Sequence, residues 1–292
     1  TEEERAVMNS LSASIINSER LQTHIRYMFS HGSLYKRING NLLFHGCIPM
    51  DENGEFLPVD IYGAKCAGRA LMEHLDKQIR ASYFTPEKIK KYGKAGDLMW
   101  YLWLAKDSPL FGKEKMTTFE RLFIDDKASH KEHVRPYYKL INSKEPCEKI
   151  LREFGLDPSH SKILNGHVPV KIKNGESPIK GGGLLYVIDG GISKAYQKQT
   201  GIAGYTFIFN SRFMALAEHK PYEPLREDGT QKFFSPSMKT VDTLKTRMLV
   251  IDTDEGAELL RQAEAVKRLV EAYRTGEIKE RAEGKYSAYK GK

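Results

Sequence analysis

Leu42-Leu43-Phe44-His45-Gly46-Cys47-Ile48-Pro49, read together with Ile163-Leu164-Asn165-Gly166-His167-Val168-Pro169, decides the fold class. Each string is a short apolar run, the pattern of a strand buried on both faces, closed by a histidine beside a glycine. A buried strand delivers its last side chain at the sheet edge, and glycine lets backbone and ligand come close there because it has no Cβ. Two such histidines, far apart in sequence, suit a metal site assembled at strand ends, since imidazole is the commonest ligand for transition metals. The plainer reading is a strand-end histidine that only hydrogen-bonds a neighbouring loop. On the residues alone the two readings stand level.

Outward from the first string, Leu34-Tyr35-Lys36-Arg37-Ile38 precedes it across Asn39-Gly40, a pair that tolerates positive φ and signals a tight hairpin. Upstream, Val7, Leu11, Ile15, Leu21, Ile25 and Met28 recur at helical spacing over residues 1–30, behind acidic residues that suit a helix N-terminus. Downstream, helices are expected over 64–82, on Leu71, Leu75 and Ile79, and over 86–105. Residues 106–147 lack periodicity and read as a functional excursion. A short helix at 146–154 leads into the His167 strand, and Gly181-Gly182-Gly183 into Leu185-Tyr186-Val187-Ile188-Asp189. No Lys-Ser/Thr helix follows those glycines, so they read as a flexible turn and not a phosphate cradle. Strands are expected at 204–210, 213–217 and Arg247-Met248-Leu249-Val250-Ile251. A closing helix is expected from a cap at Thr253-Asp254 to a stop at Gly276.

Composition narrows the class. With 292 residues, 40% hydrophobic and 29% charged, the chain can bury a sizeable core as one large or two smaller domains. No apolar run approaches the roughly 20 residues of a membrane helix, and Thr1-Glu2-Glu3-Glu4-Arg5 is no secretory leader. Three cysteines, Cys47, Cys66 and Cys147, without CxxC spacing argue against a disulfide framework or a zinc–cysteine site and for a reducing, cytoplasmic setting. Cys47 reads as a buried small apolar residue. The net charge of +8 admits a nucleic-acid surface, but no binding motif accompanies it; scattered lysines and a basic tail, or a basic pocket for a phosphorylated substrate, account for it better.

The two histidine strings resemble the fourth and fifth blocks of the calcineurin-like metallophosphoesterases, with Ile188-Asp189-Gly190-Gly191 as the downstream companion. A closer resemblance covers nearly the whole chain. Asn41 to Pro49, Ser108-Pro109-Leu110-Phe111-Gly112-Lys113, Met116-Thr117-Thr118-Phe119-Glu120 and Asn165 to Lys171 are similar to class III, Firmicutes-type, fructose-1,6-bisphosphatases. The resemblance implies hydrolysis of fructose 1,6-bisphosphate to fructose 6-phosphate and phosphate in gluconeogenesis. It also implies a two-metal site of manganese or, failing that, magnesium, with His45 and His167 on one metal. The implied fold is α/β, part of a four-layer metallophosphoesterase β-sandwich flanked by helices, with a helical insertion.

The blocks Asp-x-His, Gly-Asp-x-x-Asp-Arg-Gly and Gly-Asn-His-Asp/Glu are missing: Trp100 stands against the second and Leu42 against the third. These would supply the bridging carboxylate and the general acid. The chain is therefore expected to be the C-terminal half, inactive without an N-terminal half. Four segments are expected: 1–63 with the first ligand block, a helical or irregular insertion at 64–155, a sheet region with the second block at 156–276, and a basic mobile tail at 277–292. Gly46, Gly166 and Asp189 are expected to support the site. Lys113, Arg121, Lys171 and Lys194 are candidates to meet sugar phosphates, which favour Arg and Lys. His219 has no motif and reads as a surface histidine. The implied partners are fructose 1,6-bisphosphate and the N-terminal half, with homo-oligomerisation compatible and neither nucleic acid nor membrane expected. The rival reading is a non-catalytic subunit or interaction module that keeps the fold.

Overall fold

The computed structural model describes residues 1–86, 95–191, 193–220, 228–229 and 236–279. In chain order the helices are α1 (Glu2–Ile16), α2 (Glu19–His31), α3 (Gly68–Phe84), α4 (Ala95–Leu104), α5 (Thr118–Phe123), α6 (Tyr137–Leu140), α7 (Lys144–Glu153), α8 (Lys194–Thr200) and α9 (Asp254–Arg274). The strands are β1 (Tyr35–Ile38), β2 (Asn41–Phe44), β3 (Val59–Ile61), β4 (Ala64–Cys66), β5 (Ile163–Asn165), β6 (Ile179–Lys180), β7 (Leu185–Val187), β8 (Gly204–Phe209), β9 (Phe213–His219) and β10 (Ser237–Thr243). The fold is mixed α/β. Two compact units divide it: residues 1–208 with 215–241, and residues 209–214 with 242–292.

The first unit is organised by a five-stranded sheet in the order β1-β2-β5-β7-β6. Its three central strands run parallel, pairing Leu42 with Ile163 and Ile163 with Leu185, while β1 and β6 close the edges antiparallel. Central parallel strands are covered on both faces, and Leu42, Ile163 and Leu185 are accordingly fully buried. Leu71, Met72 and Leu75 of α3 and Ile150 and Leu151 of α7 share that core. Each such side chain contributes about 1.5–3 kcal/mol by leaving water. The hairpin at Asn39-Gly40 forms as expected, with φ of 47° and 75° and Ile38 opposite Asn41. Lys36 and Arg37 on the edge strand β1 discourage further pairing.

Several expectations need correction. The helix over 1–30 is two helices, because Asn17 and Ser18 compete for backbone hydrogen bonds; Ser18 Oγ accepts from Leu21 N at 3.3 Å and starts α2. Neither helix has a buried residue. Residues 64–66 form β4, paired with β3, and the helix begins only at Gly68. Of the helix over 86–105, residues 87–94 lie outside the described residues and α4 fills 95–104. The irregular stretch 106–147 contains α5, α6 and the start of α7. Gly181–Gly183 is a 3-10 turn packed so closely that a Cβ on Gly181 would collide with Cys147 Sγ.

In the second unit, α9 is capped as expected, Thr253 Oγ1 accepting from Gly256 N at 3.1 Å, and Gly276 follows it at φ 75°. The strand at Arg247–Ile251 is absent. Met248 N donates to Ser211 O, and Val250–Asp252 turn into a 3-10 helix with Leu249, Val250 and Ile251 exposed. From residue 280 the tail lies outside the described residues. No described helix is long and apolar enough to cross a membrane.

Candidate functional site

Three adjacent parallel strands, β2, β5 and β7, end side by side, and the residues that follow them are His45, Gly166-His167 and Ile188-Asp189. Ligands of α/β sheets bind outside these carboxyl ends. The backbone ties the ends together: Gly166 N donates to His45 O, Ile188 N to Asn165 O and Val170 N to Asp189 O, each at 2.9 Å. His167 sits at φ 70°, a left-handed conformation that costs a non-glycine residue about 1–3 kcal/mol and that persists only where the surroundings enforce it.

The result is a pair of imidazoles. His45 Nε2 lies 3.0 Å from His167 Nδ1, with ring centroids 4.9 Å apart and planes at 66°. His167 Nε2 stands 2.8 Å from Phe111 O. A carbonyl only accepts, so that nitrogen carries the proton and Nδ1 presents its lone pair to the partner ring. Burial lowers the pKa of both rings. At His45 the neighbouring His167 adds to this and Asp189 opposes it. At His167 the Phe111 carbonyl and Asp189 oppose it, and Lys113 adds to it. Both shifts favour the neutral form of the ring, which can donate a lone pair.

The segment 108–112 forms the third wall. Cys47 N donates to Pro109 O at 2.9 Å, and a Cβ on Gly46 would lie 2.5 Å from that same oxygen, so only glycine permits the approach. Buried Asn165 joins the walls, its Nδ2 donating to Gly46 O at 3.1 Å and Tyr137 Oη at 2.9 Å. Gly166 faces Asp189, whose Cβ would stand 3.4 Å from an added one. Asp189 Oδ1 accepts from Gly191 N at 2.8 Å, which commits that oxygen to its own loop. Asn165 and the Phe111 carbonyl were not foreseen from sequence; the carbonyl has no side-chain signature at all.

Among the basic candidates whose side chains are described, the structure brings Lys113 alone to the pair. It lines the same cavity, of about 650 Å³, and its Nζ meets Glu132 Oε2 at 2.7 Å. Arg121 reaches Glu132 at 3.7 Å from an exposed position outside the cavity lining. Lys171 is exposed, with its backbone N donating to Glu176. Lys194 opens α8, and its side chain lies outside the described residues. His219 is an exposed strand-end residue 2.7 Å from Thr206 Oγ1. Cys47 is buried, which pushes its thiol up to about 12 and leaves it inert.

Among the described residues, no group of three or more His, Cys, Asp or Glu side chains gathers around one point. A pair is nonetheless a fair start for a cation. Two donors at right angles, each about 2.1 Å from a divalent ion, stand about 3.0 Å apart. The Phe111 carbonyl is the kind of outer partner that fixes a ligating histidine's tautomer.

The chain matches the family described as Firmicute fructose-1,6-bisphosphatase over residues 1–275. A Fusobacterium nucleatum protein named fructose-1,6-bisphosphatase class 3 is 48% identical over 281 residues, covering 95% of this chain and 43% of its own length. Proteins of the same name from Clostridium botulinum strain Alaska E43 and Clostridium tetani are 50% and 49% identical, covering 96% of this chain and 43% and 42% of theirs. The chain thus spans less than half the length of these curated relatives. No solved structure matches it. A match running from the first residue through α9, with both histidine strings inside it, means that this chain belongs to the Firmicute fructose-1,6-bisphosphatase family.

Proposed function

We propose that this chain is the C-terminal half of a metal-dependent phosphoric monoester hydrolase that converts fructose 1,6-bisphosphate to fructose 6-phosphate and phosphate. The observation that carries the proposal is the 3.0 Å approach of His45 Nε2 and His167 Nδ1, two residues from distant strings set at adjacent strand ends. His45 and His167 would hold one divalent cation, manganese or magnesium, and the N-terminal half would provide the remaining donors and the general acid. When bound, that cation supplies charge neutralisation at the phosphoryl oxygens and a nucleophile at neutral pH. Lys113 offers a cation for the phosphate, and Glu132 holds its ammonium in place. Segment 108–112 orients His167 and keeps its proton on Nε2. The same reading makes the sheet part of a four-layer metallophosphoesterase sandwich and the reaction a cytoplasmic step of gluconeogenesis.

The test is a chimera in which this chain replaces the matching 285 residues of the Clostridium botulinum relative. His45→Ala and His167→Ala should each abolish manganese-dependent phosphate release and lower bound manganese, with the thermal transition retained. Full turnover and unchanged manganese content in both variants would end the assignment.

A further inference from the structure

The cavity that contains the histidine pair is the wrong shape of chemistry for a sugar bisphosphate. Most of its wall is apolar, with Met28 and Phe29 from α2, Met99 and Trp103 from α4, Leu110 from the third wall and Met116 beyond it. Its cationic side chains are already engaged. Arg80 Nε donates to Asp76 Oδ2 at 2.9 Å, and its two terminal nitrogens donate to the carbonyls of Phe29 and Gly32. Lys113 is held by Glu132. Two phosphate dianions would find one histidine-and-lysine corner to meet them, and elsewhere an uncharged wall and the Asp76 carboxylate.

The same wall continues onto the surface. Met28, Met99 and Trp103 are 55%, 36% and 59% exposed, and Trp100 packs edge-on against Trp103 with centroids 5.2 Å apart. Scattered apolar residues on a surface are ordinary, but a connected patch around a cavity marks a surface that something covers. Two further facts name the occupant. More than half the length of each relative lies outside the match, and among the described residues no third His, Cys, Asp or Glu joins the histidine pair in a group that could hold a cation. One polypeptide portion answers both.

We propose that this trough is the seat of an apolar segment from the portion of the full-length protein outside these 292 residues, docked on Met28, Met99 and Trp103 and leading its polar groups to His45 and His167. The substrate is confined to the corner formed by the imidazoles and Lys113. This rests on the reading that the functional enzyme contains such a portion, and the test separates the two.

In the same chimera, single cysteines replace Met28, Met99 and Trp103 in turn, with Asn174→Cys on an exposed polar turn as reference. Maleimide labelling, without metal or sugar phosphate, is followed by peptide mass. Docking predicts labelling about a hundredfold slower at the three trough positions than at the reference, the protection of a site reached only by local opening. Labelling at the reference rate at all three positions overturns the inference. So does protection that disappears on dilution, which assigns the trough to a second copy, or protection that requires fructose 1,6-bisphosphate, which assigns it to substrate. Should the junction prevent folding, the same cysteines at the aligned positions of the unaltered Clostridium botulinum enzyme give the same readings. A protected but inert chimera counts against the hydrolase reading alone, and an active but fully labelled one against docking alone.

Discussion

Replacing Gly46 with alanine should disable the site without touching either imidazole. The added methyl group would meet the Pro109 carbonyl oxygen at 2.5 Å and Leu110 O at 3.4 Å. Ordinary van der Waals contact needs about 3.4 Å or more, so Pro109 must retreat by roughly 1 Å. It cannot do so freely, because its carbonyl also accepts from Cys47 N. Gly46 is not in the left-handed region, so the whole cost is crowding, about 1–3 kcal/mol for a side chain forced into a filled space. The retreat also draws Phe111 O away from His167 Nε2, which weakens the hydrogen bond that fixes the tautomer of His167. Urea denaturation should show a stability loss of about 1–3 kcal/mol with unchanged m-value. The histidine C–H resonances of His167 should move in the same variant. Gly40→Ala is the control: nothing lies within 4 Å of its Cβ, and it should cost only about 1 kcal/mol for its positive φ. A Gly46→Ala protein as stable as the parent, with His167 unmoved, would mean that Pro109 yields without cost and does not brace the His167 ring.

Other consequences follow from the same contacts. Asn165→Leu should cost about 1–3 kcal/mol by denaturation, because it leaves the Gly46 carbonyl buried without its donor; a neutral effect would show that Asn165 does not join the walls. Burial works against ionisation of Glu132, but the Lys113 ammonium and the Thr117 N–H and hydroxyl outweigh it and bring its pKa to about 2. A carboxyl lowered on folding stabilises above its unfolded value and loses that contribution as pH falls through the folded one. The parent should therefore exceed Glu132→Gln in stability by about 1–2 kcal/mol near neutrality, and the gap should close between about pH 4.5 and pH 2. A gap independent of pH would contradict the ion pair. Leu75→Ala, in the sheet-covering face of α3, should lose about 2–5 kcal/mol in the same assay.

What could be read from the sequence was what depends on neighbours along the chain. Asn39-Gly40 dictates its own turn, Thr253 its own cap, and the strings ending at His45 and His167 their own strands. The meeting of the two histidines was foreseeable because a histidine at the end of a short buried strand has one sheet edge at which to emerge. Contacts across the chain were not. Phe111 enters the site through its carbonyl, which every residue has. His167 takes a left-handed φ that imidazole gives no reason to expect, and Asn165 bridges loops that lie 119 and 28 residues away. Arg247–Ile251 shows the converse error: an apolar β-branched run promises a strand, but here the backbone turns back toward Ser211 and the side chains stay exposed. The stripe of Val7, Leu11 and Ile15 predicted a helix correctly, yet periodicity does not say what covers it, and all three remain more than half exposed.

The proposed function stands or falls on whether His45 and His167 share one cation. Anomalous diffraction at the manganese edge, from crystals of the full-length chimera grown with manganese, tests it most directly. A shared cation gives a peak within about 2.3 Å of both His45 Nε2 and His167 Nδ1, at the length of ordinary metal–nitrogen bonds. A manganese peak bound only by other residues, with the two rings still 3.0 Å apart and hydrogen-bonded to each other, would contradict it.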